Sequence, residues 1–314
     1  MDNEINVVYA CDNNYAQHAA VSMVSILSNT KMPERLHFYI LTDMLSESNS
    51  EKLQRTAQKQ NSCVDIIPVT DDMLQQGFVT GNLSRAAYYR LGIAELLPDT
   101  VDRVIYLDCD LLVFQDILPL WECDLKGLPL GAAEDYGILS SSRKRREKEK
   151  SFNWNAADSY FNSGVLLLDL KQWRQKNFTA GLLTLISAKK YRHHDQDVLN
   201  DFFRKDWLHL PLKWNVIPPV YNLPLRVFLD KKRFKAVCDT VRDIGILHYA
   251  GGYKPWEFPR QQGFNMHYYQ YLEKSAFMDA KMPREKASGR NRSLKRQLLR
   301  LKWTEMLTGN KLDF

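Results

Sequence analysis

The sequence lacks the marks of several large protein classes. No C-x-x-C pair occurs, and the five cysteines, Cys11, Cys63, Cys109, Cys123 and Cys238, are an odd, scattered set. They read as reduced, mostly buried thiols of a cytosolic protein. No apolar run approaches the ~20 residues that span a bilayer. The start, Met1-Asp2-Asn3-Glu4, is acidic and has neither the basic residues nor the apolar stretch of a signal peptide. The expected location is therefore the cytoplasmic side. The first strand-to-helix turn, Ala10 to Tyr15, contains no glycine. That excludes the dinucleotide fingerprint, and a Walker loop is missing as well. Any nucleotide must be held in another way.

What is present is an ordinary globular composition. Apolar residues make up 45% of 314 positions, enough for a sizeable core. The net charge of +6 is concentrated. Lys281, Arg284, Lys286, Arg290, Arg292, Lys295, Arg296, Arg300 and Lys302 face only Glu285 between 281 and 302. The remaining body is near neutral or slightly acidic. Local basicity of this kind argues against a broad nucleic-acid surface, and no nucleic-acid partner is expected.

The first half alternates in period. Ile5–Ala10, Leu36–Leu41, Cys63–Ile67 and Val104–Leu107 read as strands. Tyr15–Ser28, Ser46–Gln60 and Ser84–Leu97 read as helices, with Ser46 as an N-cap and Pro98 as a stop. This βαβαβαβ pattern predicts an α/β protein with a mostly parallel central sheet covered by helices on both faces. Ser140–Ser151 is a charge run, expected as a solvated loop or frayed helix. Phe161–Leu170 reads as a strand, and Val198–Phe203 as a helix preceded by His193-His194-Asp195-Gln196-Asp197. Ile246 to Trp256 closes the globular part. No internal repeat is visible. The domain bounds expected are 1–280 for the globular unit and 281–314 for a basic tail.

The chemistry centres on Asp108-Cys109-Asp110, set between the apolar runs Val104–Leu107 and Leu111–Phe114. Two carboxylates two residues apart lie on one face of an extended segment. Held together at a strand end, they are costly without an intervening positive charge. A divalent cation answers that need and keeps positions open for substrate oxygens. The plain alternative is a turn beside a strand.

Four separated motifs, in order, give the chain a recognisable outline. They are the Ala10–Tyr15 turn, Tyr106-Leu107-Asp108-Cys109-Asp110, Phe161-Asn162-Ser163-Gly164-Val165, and His248-Tyr249-Ala250-Gly251 with Lys254-Pro255-Trp256. Asp195-Gln196-Asp197 adds a fifth. Across roughly 5 to 275 the chain resembles the family-8 retaining glycosyltransferases of the GT-A fold, the nucleotide-diphospho-sugar transferase fold. That group includes bacterial lipopolysaccharide galactosyl- and glucosyltransferases and glycogenin.

The resemblance implies that Asp108, Asp110 and His248 bind a divalent metal, Mn²⁺ or alternatively Mg²⁺. Two carboxylates and an imidazole suit Mn²⁺. It also implies that Ala10, Asp12 and Asn14 contact uridine and that Arg90 contacts the donor. Cys109, within the metal motif, joins that donor-binding set. Gly251 and Lys254 would serve the diphosphate, glycine by close backbone approach and lysine as a point charge. Asn162, Asp195 and Gln196 would surround the sugar and its anomeric carbon. Asp135 would lie on the acceptor side, with Glu134 as its substitute if the register differs by one. Bland readings stand beside these: a helix cap for Asp12, a surface ion pair for Arg90, a core histidine for His248. Asp197 reads as a helix-start residue. His193 and His194 read as a solvated turn.

The activity implied is transfer of galactose or glucose from UDP-galactose or UDP-glucose to a hydroxyl of a glycan or glycolipid acceptor at the cell surface. Attack from the face that UDP leaves retains configuration; double displacement through Asp195 or Gln196 is the other route, and both stay open here. Rival functions are a sugar-nucleotide pyrophosphorylase, which would want a glycine-rich first loop, and a non-catalytic nucleotide-sugar binder. In the tail, Leu294, Leu298 and Leu301 recur at i, i+4 and i+7 among basic residues, with Trp303 nearby. A segment like this suits an anionic membrane surface, so peripheral attachment to the inner face is expected.

Overall fold

A computed structural model describes residues 4–70, 89–155, 158–189, 191–221, 231–252, 254–258 and 264–280, with single positions 299, 302, 303 and 306. In chain order the elements that frame the site are β1 (Ile5–Ala10), α1 (Ala16–Asn29), β2 (Leu36–Thr42), α2 (Glu47–Gln58), β3 (Cys63–Pro68), β4 (Arg103–Leu107), β5 (Leu111–Val113), β6 (Leu130–Glu134), α3 (Tyr136–Leu139), α4 (Ser142–Phe152), β7 (Phe161–Asp169), α5 (Leu170–Gln175), α6 (Phe178–Ala188), α7 (His194–Phe203), β8 (Leu208–His209), α8 (Lys231–Arg242), β9 (Ile246–His248) and α9 (Asn265–Leu272).

Seven strands form one sheet in the order β3-β2-β1-β4-β7-β6-β8. The β3–β2, β2–β1, β1–β4 and β6–β8 pairs are parallel, whereas β7 runs antiparallel to both β4 and β6. The sheet is mostly parallel and flanked by helices, as the alternating pattern predicts. The antiparallel β7 was not legible, because a strand buried on both faces gives a continuous apolar run whichever way it points. β5 and β9 form a separate antiparallel ribbon.

Strand alternation divides the core in two. Val7, Tyr9, Phe38, Ile105, Leu107, Val165 and Leu167 pack on one face with α1 and α9 residues. Val8, Ala10, Tyr39, Tyr106, Leu166 and Leu168 pack on the other with Trp173, Leu182, Val198 and Phe203. Each buried aliphatic side chain contributes about 1.5–3 kcal/mol by leaving water. Such clamping on both faces makes the ends of β4 and β7 rigid supports.

Ser46 caps α2, its side chain accepting from Asn49 N–H at 3.3 Å. Of the expected helix 84–97, only the part from 89 onward lies within the described residues, and a turn at Gly92 interrupts it before Ile93–Leu96. The charge run 140–151 takes the helical of its two expected forms, but it is anchored instead of frayed. It forms α4, capped by Ser141, and its Lys148 and Phe152 are buried. One cation bound to buried acceptors converts a solvated-looking run into an anchored helix. The cysteines also differ: all are free, but only Cys11 and Cys109 are buried, and Cys63 is exposed on the edge strand β3. Among the described residues no helix is long and apolar enough to cross a membrane.

Candidate active site

The site forms where β4, β7 and the β5–β9 ribbon converge. Asp108 follows β4, and its N–H donates to Gly164 O of β7 at 2.8 Å. Asp110 precedes β5, and its carbonyl accepts from Tyr249 N–H at 2.8 Å. The register Leu111↔His248 then sets the histidine beside both carboxylates. His248 Nε2 lies 3.2 Å from Asp110 Oδ1 and 3.8 Å from Asp108 Oδ2. One ligand atom from each of the three residues falls within 4.8 Å of the others. Two hard oxygens and an imidazole nitrogen on one point fit a divalent ion.

Gly164 makes this convergence sterically feasible. A Cβ there would overlap His248 Cε1 and stand 2.8 Å from Asp108 Oδ2. Gly251, just beyond β9, has φ +95°, a backbone region that favours glycine.

Cations flank the carboxylates. Arg90, buried, bridges Asp108 and Asp195 and donates to Ser163 Oγ and Tyr106 OH at 2.8 Å each. Its guanidinium also stacks on the Tyr106 ring, 4.5 Å from the centroid. Burial opposes the charge of Arg90, but Asp108 and Asp195 outweigh it and hold the pKa above its usual range. The surface ion pair considered for Arg90 is therefore replaced by a buried bridge. Lys254 pairs with Asp110 and donates to Tyr249 O at 2.8 Å. Burial disfavours ionised Asp110, yet His248 and Lys254 more than compensate, so its pKa falls below the carboxylate range. Asp108 goes the other way: burial raises it, Arg90 only partly opposes, and neighbouring Asp110 adds to the rise. Two carboxylates two residues apart thus have unequal proton affinities.

The turn after β1 closes another side. Ala10 O accepts from Cys109 Sγ at 3.4 Å, which ties the turn to the carboxylate motif. Asp12 Oδ1 accepts from Tyr15 N–H at 2.9 Å and Oδ2 from Asn14 Nδ2 at 3.1 Å, so Asp12 does cap the approach to α1 while both residues stay exposed. Trp256, two residues after Lys254, stacks on His18 of α1 with ring centroids 3.5 Å apart. That stack fixes the Lys254 segment against the turn.

Next to the Asp108 and Asp110 carboxylates, Asp135, Asn162 and Gln196 form a second cluster. Asn162 Nδ2 donates to Asp135 Oδ2 at 3.2 Å and to Gln196 Oε1 at 3.1 Å, and Gln196 Nε2 donates to Asp135 Oδ2 at 2.9 Å. Glu134 is not a substitute for Asp135. Its carboxylate turns to Ser159 Oγ at 2.8 Å and to Arg233 at 2.9 Å, lining a cavity of about 420 Å³ with His209 and Tyr136. None of Asp108, Asp110, His248, Asn162 or Gln196 lines that cavity.

Asp195, Gln196 and Asp197 lie inside the first turn of α7, which starts four residues earlier than Val198. Asp197 is buried and accepts from Tyr160 OH at 2.5 Å and from Lys148. Burial would raise its pKa, but His193, Lys148 and Tyr160 lower it below the usual range. His193, expected in a solvated turn, lies in the bend before α7 with a partly exposed side chain, but it is also tied into this network: its Nδ1 is 2.8 Å from Lys148 Nζ, and its N–H donates to Asp197 Oδ2 at 2.9 Å. This network fixes the end of α7 that presents Asp195 and Gln196. The His194 side chain lies outside the described residues.

Sequence reading missed Asn215. It is 1% exposed, and its Oδ1 sits 2.9 Å from His248 Nδ1. The available signal was an amide set among the apolar residues Trp214, Val216 and Ile217.

The profile of glycosyl transferase family 8 matches residues 6–259. The chain belongs to that family. General stress protein A of Bacillus subtilis is 29% identical over 279 residues, 86% of this chain and 94% of that protein. A lipopolysaccharide 1,2-glucosyltransferase of Escherichia coli K12 is 30% identical over 254 residues, covering 80% of this chain and 72% of that one. Among solved structures, the galactosyltransferase LgtC in complex with donor and acceptor sugar analogues superposes with a TM-score of 0.74 at 24% identity, over 92% of this chain and 100% of that chain. The bifunctional WbbM glycosyltransferase gives 0.79 at 23% identity over 89% of this chain and 51% of that chain. These likenesses identify the GT-A fold.

Proposed function

We propose that this family-8 member is a metal-dependent retaining hexosyltransferase. It moves galactose or glucose from a UDP-sugar to a hydroxyl of a lipopolysaccharide or related cell-surface glycan. The observation that carries the reading is the Asp108–Asp110–His248 cluster set beside the Asp135–Asn162–Gln196 cluster, the two joined by hydrogen bonds from His248 through Asn215 to Asn162. Lipopolysaccharide glucosyl- and galactosyltransferases among the relatives support the acceptor class.

In this reading Asp108, Asp110 and His248 hold Mn²⁺ or Mg²⁺. The ion supplies Lewis-acid neutralisation of the departing diphosphate. Ala10, Asp12 and Asn14 receive the uridine, Lys254 and the Gly251 backbone the diphosphate, and Arg90 orients the donor through Asp108 and Asp195. Asn162, Asp135 and Gln196 face the sugar and oppose the charge that develops at its anomeric carbon. The acceptor hydroxyl attacks from the face the diphosphate leaves, and its proton passes to a leaving phosphate oxygen.

Two contacts favour this front-face route. Gln196 Oε1 already accepts from Ser163 N–H and Asn162 Nδ2, each at 3.1 Å, and an amide is a poor nucleophile. The Asp195 carboxylate is engaged by Arg90, which it shares with Asp108. The deciding experiment is a panel of UDP-sugars scored for metal-dependent UDP release. Turnover confined to UDP-galactose or UDP-glucose supports the assignment. Tight UDP-sugar binding with no turnover favours a non-catalytic binder.

Residues 1–280 would form the catalytic unit and 281–314 a membrane-directed tail. Leu294, Leu298 and Leu301 lie outside the described residues. Leu299, Trp303 and Met306 are described, helical and exposed, and recur at i, i+4 and i+7. An apolar stripe left uncovered among basic residues supports peripheral attachment to an anionic inner-membrane surface.

A further inference from the structure

We infer that Asn215 is a positioning residue that fixes which imidazole nitrogen His248 offers to the metal, and that it joins the metal cluster to the sugar-facing cluster. The inference rests on the proposed metal reading for its consequence, though its first premise is hydrogen-bond polarity alone. A backbone N–H can only donate, so two such groups on β7 set the direction of every bond in the chain of contacts. Gly164 N–H lies 3.0 Å from Asn162 Oδ1, which fixes that atom as the oxygen. Ser163 N–H lies 3.1 Å from Gln196 Oε1 and fixes that amide likewise.

The Asn215 atom 2.8 Å from Asn162 Oδ1 must then be the donor Nδ2. Its Oδ1 is left facing His248 Nδ1 at 2.9 Å. An amide oxygen only accepts, so His248 Nδ1 carries a hydrogen. Nε2 is the nitrogen left for coordination, and it is the one beside Asp110 and Asp108. All three members are at least nine-tenths buried: Asn162 8%, Asn215 1% and His248 3% exposed. Burial of this degree keeps these bonds out of bulk solvent, and a reversed amide would set oxygen against oxygen. The ring is further fixed because His248 N–H donates to Val216 O at 3.0 Å, which holds β9 against the Asn215 segment. A partner on the non-ligating nitrogen is the usual means by which proteins orient a metal-bound histidine. Here that partner is also bonded to Asn162, so loading of the metal and placement of the sugar share one rigid path.

The test uses the full chain in three forms: wild type, Asn215→Ala and Asn215→Asp. Mn²⁺ binding with UDP present is followed by the electron paramagnetic resonance of free Mn²⁺. Asn215→Ala removes the acceptor and should weaken Mn²⁺ by about 10- to 100-fold. Asn215→Asp keeps an acceptor for Nδ1–H but loses the donor to Asn162. It should bind Mn²⁺ close to wild type and lower kcat without a matching loss of metal affinity. Long-range ¹⁵N NMR of wild type should show His248 Nδ1 protonated both without metal and with Mg²⁺ and UDP. Wild-type Mn²⁺ affinity in Asn215→Ala, equal losses in both variants, or an unprotonated Nδ1 would each overturn the inference. If Asn215→Ala does not fold, Asn215→Asp and the NMR decide it. A wild-type chain that binds no Mn²⁺ would refute the metal reading, while the Nδ1 state would still judge Asn215.

Discussion

Replacing Gly164 with alanine is a one-carbon change with a large expected effect. The new methyl would overlap His248 Cε1 and stand 2.8 Å from Asp108 Oδ2 and 2.9 Å from His248 Nδ1, against ordinary contacts of 3.4–4 Å. The backbone cannot yield easily. Gly164 O accepts from Asp108 N–H, Gly164 N–H donates to Asn162, and the next residue is paired as Val165↔Leu107. His248 is held by Asn215 on its ring and by β5 on its backbone. The clash must therefore move ligand atoms by half an ångström or more. Overpacking of this kind costs about 1–3 kcal/mol, at roughly 1.5 °C of melting shift per kcal/mol for a chain of this size. A misplacement approaching 1 Å at a reacting centre costs on the order of 10²-fold in rate. Calorimetry, Mn²⁺ titration and UDP release from UDP-hexoses would measure the three effects. The expected result is a folded protein, a few degrees less stable, with Mn²⁺ affinity and turnover both sharply reduced. A Gly164→Ala protein with wild-type turnover and metal affinity would refute the argument that the three ligands converge over this glycine.

Burial among Tyr15, Trp256 and Tyr268 lowers the pKa of His18 to about 4, with Asp110 opposing only in part. The unfolded chain takes up this proton near pH 6.5 and the folded chain only near 4, so stability is full above 6.5 and falls as pH drops through that window, by about 3 kcal/mol in all; urea midpoints of His18→Gln should lose that component, and parallel pH profiles would count against it. Proton NMR of the transfer product should reveal an α-linkage from an α-linked UDP-sugar, and a β-linked product would exclude the front-face route. Truncation before Pro283 should leave UDP release nearly intact and abolish sedimentation with anionic liposomes. Undiminished pelleting would remove the tail as anchor, and unfolding would mean its leucines belong to the core.

The layout of the parallel half of the sheet was readable because β1 to β4 each end in a polar turn and alternate with helix-period segments. The direction of β7 was not, since Val165 to Leu168 are buried on both faces and carry no alternation. Asp108, Asp110 and His248 were legible as a group only through their resemblance to a family, because 138 positions separate His248 from Asp110 and nothing local pairs them. Their pairing comes from the Leu111↔His248 register. Lys148 and Asn215 show the other limit. A lysine within a charge run and an asparagine within an apolar run look like noise in one dimension. Burial turns each into an obligate hydrogen-bonding group whose partners come from remote segments. The lining of the 420 Å³ cavity beside Glu134 was likewise unreadable, since β6, β8 and α8 meet only in the folded chain.

The most direct test of the whole account is UDP release from the preferred UDP-hexose in wild type and in Asp110→Asn, measured across a Mn²⁺ titration and in EDTA. The account predicts that EDTA stops wild-type release and excess Mn²⁺ restores it. It also predicts that Asp110→Asn lowers the rate by on the order of 10²-fold or more, since Lewis-acid assistance is worth several kcal/mol. Release that persists in EDTA, or an Asp110→Asn protein that turns over normally at limiting Mn²⁺, would contradict it.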